Sequence, residues 1–118
     1  MRILICDDNR EAATALTQLL RLKGHDATPC FDGAACLQHA INWRPHAALL
    51  DIGMPFMDGW EVARNLRQLD IGHPIVLIAV TNHDEPKHRA RSIAAGFDAH
   101  LAKPPSIERI LEILRSGR

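Results

Sequence analysis

Five apolar runs, each too short for a helix, alternate along this chain with five segments of helical period, and no other feature constrains the fold as much. Ile3-Leu4-Ile5 precedes a segment carrying Ala12, Leu16, Leu19 and Leu20, with Gly24 placed as its stop. Ala27-Thr28-Pro29-Cys30 is the second run, and its proline has no N–H for a sheet ladder, so it belongs at a sheet edge if it is a strand at all. Leu37, Ala40 and Ile41 mark a helix ending before Pro45. Ala47-Ala48-Leu49-Leu50 and the run from Ile75 to Val80 are apolar at consecutive positions, as strands covered on both faces are; Val62, Leu66 and Leu69 mark a helix between them. A fourth helix is expected to start near Asp84, Glu85 and Pro86, to carry Ala90, Ile93, Ala94 and Phe97 on one face, and to stop at Gly96. His100-Leu101-Ala102 is the last short run, and Ser106 caps a helix with Ile107, Ile110, Leu111 and Leu114 on one side.

Strict alternation demands parallel strands, right-handed crossovers and helices on both faces. The expected fold is therefore α/β, a five-stranded parallel sheet in a doubly wound (βα)5 arrangement. A length of 118 residues suits one core, and residues 1–118 are expected to form a single domain with no repeat, linker or output domain. Lys plus Arg number 14 and Asp plus Glu number 14, so the broad basic surface that nucleic acid or acidic lipid would require is missing. Neither a nucleic acid nor a membrane is expected as a partner. The run from Ile75 to Val80 falls far below the roughly 18 residues of a membrane span. Met1-Arg2 leads into a strand without a signal-peptide core, and a soluble, cytoplasmic protein is expected. Cys6, Cys30 and Cys36 form no C-x-x-C pair and read as reduced, mostly buried thiols.

In a doubly wound sheet, ligands bind beyond the carboxyl ends of the strands, near the switch in strand order. The first run here ends in Asp7-Asp8, the third in Asp51, the fourth in Thr81 and the fifth just before Lys103. Three carboxylates in one pocket raise one another's pKa unless a cation offsets them, and oxygen donors suit a hard ion, which points to Mg²⁺. Lys103, followed by Pro104, supplies a fixed cation opposite them.

Asp7-Asp8, the stretch Asp51-Ile52-Gly53-Met54-Pro55-Phe56-Met57-Asp58-Gly59, Thr81 and Lys103-Pro104 together resemble the receiver domain of two-component response regulators. The resemblance covers essentially the whole chain. Thr81 lies 30 residues beyond Asp51, and Lys103 a further 22, as in receivers. What the resemblance implies is a flavodoxin-like receiver architecture in which Asp51 accepts a phosphoryl group from a phosphohistidine. Asp8, Asp51 and the backbone carbonyl of Gly53 would bind Mg²⁺, and Asp7 would reach the metal through water. Thr81 and Lys103 would contact the phosphoryl group, whose additional charge of about −1.5 to −2 draws in the loop after the fourth strand. Pro104 is assigned a structural role. The implied partners are a sensor histidine kinase or a histidine phosphotransfer protein, and a downstream effector protein that reads the shifted conformation. Such a chain is not a dedicated enzyme, although it promotes its own aspartyl phosphorylation and dephosphorylation.

The chain departs from the family pattern at His100, which stands three residues before the lysine where receivers carry Tyr or Phe. A histidine in this Phe-Asp-Ala-His-Leu-Ala-Lys-Pro context resembles receivers attached to hybrid sensor histidine kinases, and His100 either switches or simply packs. Gly53 and His83 lie two residues after Asp51 and Thr81, at positions that tune the lifetime of the acyl phosphate in receivers. Gly53 leaves the phosphate open to water, and His83 orients or blocks it. The changing surface is expected on the fourth helix, fifth strand and fifth helix, with Lys87, Arg89 and Arg91 setting its charge. His25, His39, His46, His73 and His88 converge on no ligand geometry and are expected at the surface, while Trp43 and Trp60 are expected to pack. Two rival readings stay open. One is a receiver-like interaction module independent of phosphorylation. The other is a small Mg²⁺-dependent phosphohydrolase with Asp7 as nucleophile, which lacks the acid it needs because Asn9 stands two residues on.

Overall fold

Alternating β and α periods produce alternating elements in the computed structural model, which describes residues 1–82 and 86–116. The order is β1 (Arg2–Cys6), α1 (Arg10–Leu22), β2 (Asp26–Cys30), α2 (Gly33–Trp43), β3 (Ala47–Leu50), α3 (Gly59–Gln68), β4 (Val76–Thr81), α4 (Pro86–Ala95), β5 (Ala99–Ala102) and α5 (Ile107–Ser116). All neighbouring strands pair in parallel, in the order β2-β1-β3-β4-β5. This is the receiver, flavodoxin-like arrangement. Pro29 sits in β2, an edge strand that pairs with β1 alone, where a missing N–H is tolerated. The consecutive apolar residues of the inner strands divide between the two faces. Ile3, Ile5, Leu49, Ile78 and Val80 pack under α1 and α5, while Leu4, Leu50, Leu77 and Ala79 pack under α2, α3 and α4.

Helix ends follow local chemistry. Asn9, Asp32 and Asp58 cap α1, α2 and α3, each accepting from a backbone N–H three residues on, and Ser106 accepts from Arg109 N–H at the start of α5. Gly24 and Gly96 close α1 and α4 in the left-handed region, at φ +89° and +103°.

Three helices keep only part of their apolar pattern inside: Leu16 and Leu20, Leu37 and Ala40, and Phe97 just after α4 pack on the core. In α1 the buried stripe is Ala13, Thr17 and Leu20, whereas Ala12 and Leu19 face outward; Thr17 can be buried because its hydroxyl donates to the Ala13 carbonyl at 2.7 Å. In α2, Cys36 and Ala40 go inward, leaving Ile41 exposed. In α4 the buried residues are Ser92 and Ala95, while Ala90, Ile93 and Ala94 face solvent. The expected acidic start of α4, Asp84 and Glu85, lies outside the described residues. All three cysteines are free and buried, and burial first among other causes pushes the Cys30 thiol up to about 11.

Candidate functional site

The strand order reverses between β1 and β3, so the loops leaving their carboxyl ends frame a crevice. The last ladder bonds hold the residues there: Asp7 N–H donates to Cys30 O (3.1 Å), Asp51 N–H to Cys6 O (2.9 Å) and Lys103 N–H to Thr81 O (2.9 Å). Each acidic side chain then turns back on its own loop. Asp7 Oδ1 accepts from Asn9 N–H at 2.9 Å, and Asp51 Oδ1 from Gly53 N–H at 3.0 Å. The other oxygens meet Lys103, whose Nζ lies 2.8 Å from Asp7 Oδ2 and 3.3 Å from Asp51 Oδ2. The Lys103–Pro104 peptide bond is cis.

Asp7 and Asp51 are buried and Asp8 is exposed, yet ligand oxygens of all three lie within 4.8 Å of one another. Among the described residues they are the one such acidic, histidine or cysteine group. Burial, reinforced by Asp7, raises the Asp51 carboxyl above its ordinary value, although Gly53 N–H and Lys103 counteract it. Burial pulls the Lys103 ammonium down, but the hydrogen bond to Asp7 and the charges of Asp51 and Asp7 outweigh it and hold the group above its ordinary value. Three carboxylates against one ammonium leave two negative charges, the complement of a divalent cation.

The carboxylates open into a cavity of about 480 Å³ walled on the α1 side by Ala12, Leu16 and Leu19 and on the other by Pro104 and Pro105. At β4 its wall is Val80 and Asn82; Thr81, between them on the opposite side of the strand, is wholly buried. Gly53 is exposed beside Asp51, and His83 lies outside the described residues. His100 is not in the crevice. It sits in β5 opposite Ala79, half-buried, with Nδ1 2.8 Å from Ser92 Oγ.

The remaining histidines are not free surface groups. His46 Nδ1 accepts from Arg2 N–H at 2.9 Å and its ring stacks on His73, His88 stacks on Trp60, and His39 lies against Trp43. All five, His25 included, are half-buried at the surface and join no ligand cluster among the described residues, and His39, His46, His73 and His88 each lie beside an aromatic ring. Residue patterns also gave no sign of Asn82 or Pro105 in the crevice wall. Adjacency to Thr81 and to Lys103-Pro104 was the one available signal.

This crevice and its fold match a known group. The family model described as "Response regulator receiver domain" matches residues 3–115, and the chain belongs to that family of two-component signalling domains. Response regulator MprA from Mycobacterium avium (strain 104) is 34% identical over 116 residues, covering 98% of this chain and 50% of that protein. MprA of Mycobacterium leprae (strain TN) is likewise 34% identical, over 98% of this chain and 50% of its own length. The chain thus spans about half the length of these relatives. Among solved structures, a CheY-like receiver domain protein from Methanospirillum hungatei JF-1 superposes with a TM-score of 0.87 at 29% identity, covering 98% of this chain and 94% of that one. The receiver domain of sensor histidine kinase PA1611 from Pseudomonas aeruginosa PAO1, with a magnesium ion coordinated in its active site cleft, gives 0.86 at 30% identity and the same coverage of both chains.

Proposed function

We propose that residues 1–118 act as one phosphoacceptor receiver, in which Asp51 takes a phosphoryl group from a phosphohistidine and a partner protein reads the resulting shift in conformation. The observation that carries this reading is the Asp51 carboxylate itself, buried at the end of β3, 3.3 Å from the Lys103 ammonium and converging with two further carboxylates.

In the transfer, an Asp51 oxygen attacks phosphorus, the P–N bond to the donor imidazole breaks, and its electron pair returns to the imidazole nitrogen. Such a reaction depends on positioning and on offsetting charge at the transferring oxygens. Lys103 is held for that task by Asp7 and Asp51, and moves to the phosphoryl group as it arrives. The Thr81 hydroxyl supplies a second contact when its strand end is drawn toward the acyl phosphate. The donor set fits Mg²⁺, with Asp8, Asp51 and the Gly53 carbonyl as ligands and Asp7 acting through water. When bound, the ion neutralises phosphoryl oxygens as a Lewis acid. The magnesium in the PA1611 cleft supports the same assignment by likeness. Gly53 leaves the acyl phosphate open to water, and His83 tunes its lifetime.

The apolar groove of Ala12, Leu16 and Leu19 against Pro104 and Pro105 suits an apolar helical segment that presents the donor histidine, from a sensor histidine kinase or a histidine phosphotransfer protein. The effector is assigned to the face of α4, β5 and α5, where Ile93 is 74% exposed. Among the described residues no helix is long and apolar enough to cross a membrane, in keeping with a cytoplasmic domain. The phosphohydrolase reading loses ground because Asn9, where its acid would stand, caps α1 through Ala12 N–H at 3.1 Å. The test is intact mass after incubation with acetyl phosphate and Mg²⁺. One phosphoryl group is expected on the native chain and none on Asp51→Asn; incorporation that survives Asp51→Asn overturns the reading.

A further inference from the structure

Helix α4 docks largely through polar and ring contacts. Its buried residues are Ser92 and Ala95, while Ile93 and its alanine neighbours face solvent, so no apolar stripe holds the helix down. Three of its residues instead surround one side chain, Trp60 of α3. The Arg91 guanidinium lies 4.0 Å from the indole centroid, the His88 ring stacks parallel at 5.8 Å, and the indole N–H donates to Ser92 Oγ at 2.9 Å. Positions 88, 91 and 92 share one helix face. Indole N–H can only donate, so Ser92 Oγ accepts from it and bridges onward to His100 Nδ1 at 2.8 Å. The hydroxyl is fully buried and joins α3, α4 and β5.

Both outer members of this chain lead back to the phosphoacceptor crevice. Trp60 follows Gly59, which packs so tightly on the Asp51 backbone that an added Cβ would lie 2.6 Å from Asp51 O. His100 lies opposite Ala79, two residues before Thr81 on β4, and Thr81 is five residues before the first residue of α4. A pull on Thr81 therefore acts on α4 through its N-terminal end, while Trp60, Ser92 and His100 resist from the middle of the helix.

We propose that Trp60, Ser92 and His100 form a latch that holds α4 in one register against α3 and β5, and that phosphorylation of Asp51 reaches the exposed face of α4 by opening it. The proposal rests on the phosphoacceptor reading. Trp60 and Ser92 are positioning residues in it, remote from the reacting atoms. His100 is a bonded member of the latch, which distinguishes it from an aromatic ring that moves by packing alone.

Coupling between sites is reciprocal, so a latch that a phosphoryl group opens must, when weakened, favour phosphoryl-like ligands. The experiment measures equilibrium binding of beryllium trifluoride with Mg²⁺, a mimic of the phosphoryl group, to the native chain, Ser92→Ala and Trp60→Phe. Ser92→Ala leaves the indole N–H without its acceptor in the closed form, and binding is expected to tighten about threefold to tenfold. Trp60→Phe, which keeps a ring but deletes the N–H, moves in the same direction. A role in stability alone would leave affinity unchanged or weaken it, and either result overturns the latch. In a Trp43→Phe chain, Trp60 is the remaining indole, and its emission is expected to shift to the red on binding; an unmoved spectrum also overturns the proposal. Failure of the native chain to bind beryllium trifluoride, or to gain phosphate at Asp51 by intact mass, overturns the phosphoacceptor reading and the coupling with it. Normal native binding with unchanged variants overturns the latch alone.

Discussion

At the carboxyl end of the sheet, Asp7, Asp8 and Asp51 crowd together, and the Lys103 ammonium pairs with Asp7 and Asp51. At the amino end the polar groups bind to one another and to backbone. Arg2 donates its guanidinium to the carbonyls of Trp43 and Arg44, each at 2.8 Å, and its backbone N–H to His46 Nδ1 at 2.9 Å, while His46 stacks on His73 with centroids 4.7 Å apart. The same strands end in both places. One end ties most of its polar groups into internal bonds that seal the helix-to-strand joints, although His73 Nε2 is buried without a partner among the described residues. The other gathers, among the described residues, three carboxylates against one ammonium, an excess of like charge that raises the Asp51 carboxyl above its ordinary value where burial adds to it. Like charge is concentrated at the end where the strand order reverses, and the opposite end carries the sealing.

Substitutions should separate the two ends sharply. The largest effect belongs to Asp51→Asn, which removes phosphoryl incorporation altogether in an intact-mass assay. Because it also removes one of three like charges, its melting temperature without divalent ions should be at or above that of the native chain. Lys103→Met comes next. Incorporation slows by roughly a hundredfold, as for other removed oxyanion partners, while divalent-ion affinity measured by calorimetry rises because the acidic cluster has lost its counter-charge. Loss of both activity and metal binding together would mean that Lys103 builds the site rather than serving it.

Gly59→Ala tests the support under the crevice. The new Cβ would meet Asp51 O at 2.6 Å and Ile52 Cα at 2.7 Å, both backbone, so urea unfolding should show a loss of about 1–3 kcal/mol. The smallest effect is at the amino end. Burial, aided by the charges of Arg2, His73 and the N-terminus, lowers the His46 pKa from its usual 6.5. The folded protein thus favours the neutral ring. Its contribution to stability is fully present above pH 6.5 and fades as pH falls below that value through the lowered folded pKa. His25 is lowered too, by burial and the N-terminus, and adds to the same slope. Unfolding midpoints between pH 7.5 and 5 should fall less steeply for His46→Gln than for the native chain. A slope that does not change would remove His46 from the acid response.

Much of this was readable without coordinates, and the failures have a common origin. Asp7, Asp8, Asp51, Thr81 and Lys103 were placed at strand ends by the boundaries of their apolar runs, and the ladder bonds at Asp7, Asp51 and Lys103 put those residues there. The faces of α1 and α4 were readable only in part, through Leu16, Leu20 and Phe97. Leu19 and Ile93 are the larger apolar residues, yet Thr17 and Ser92 are buried, because each hydroxyl has a partner inside. Hydrophobicity counts side chains one at a time and gives no weight to a hydrogen bond already waiting in the core. The ring partners of His46, His73 and His88 were unreadable for a related reason, since they come from other elements.

By itself, then, the order of residues determined the alternation of elements, the edge position of the Pro29 strand and the end of the sheet at which acid and base collect. Those follow from period, covalent order and a missing N–H, all of which are local. Tertiary structure alone decided how α4 is turned, that His100 bonds to Ser92, and that Trp60 closes the chain of contacts across 32 residues of sequence. Such contacts exist only once separate helices share a core, where the geometry between elements selects the partner.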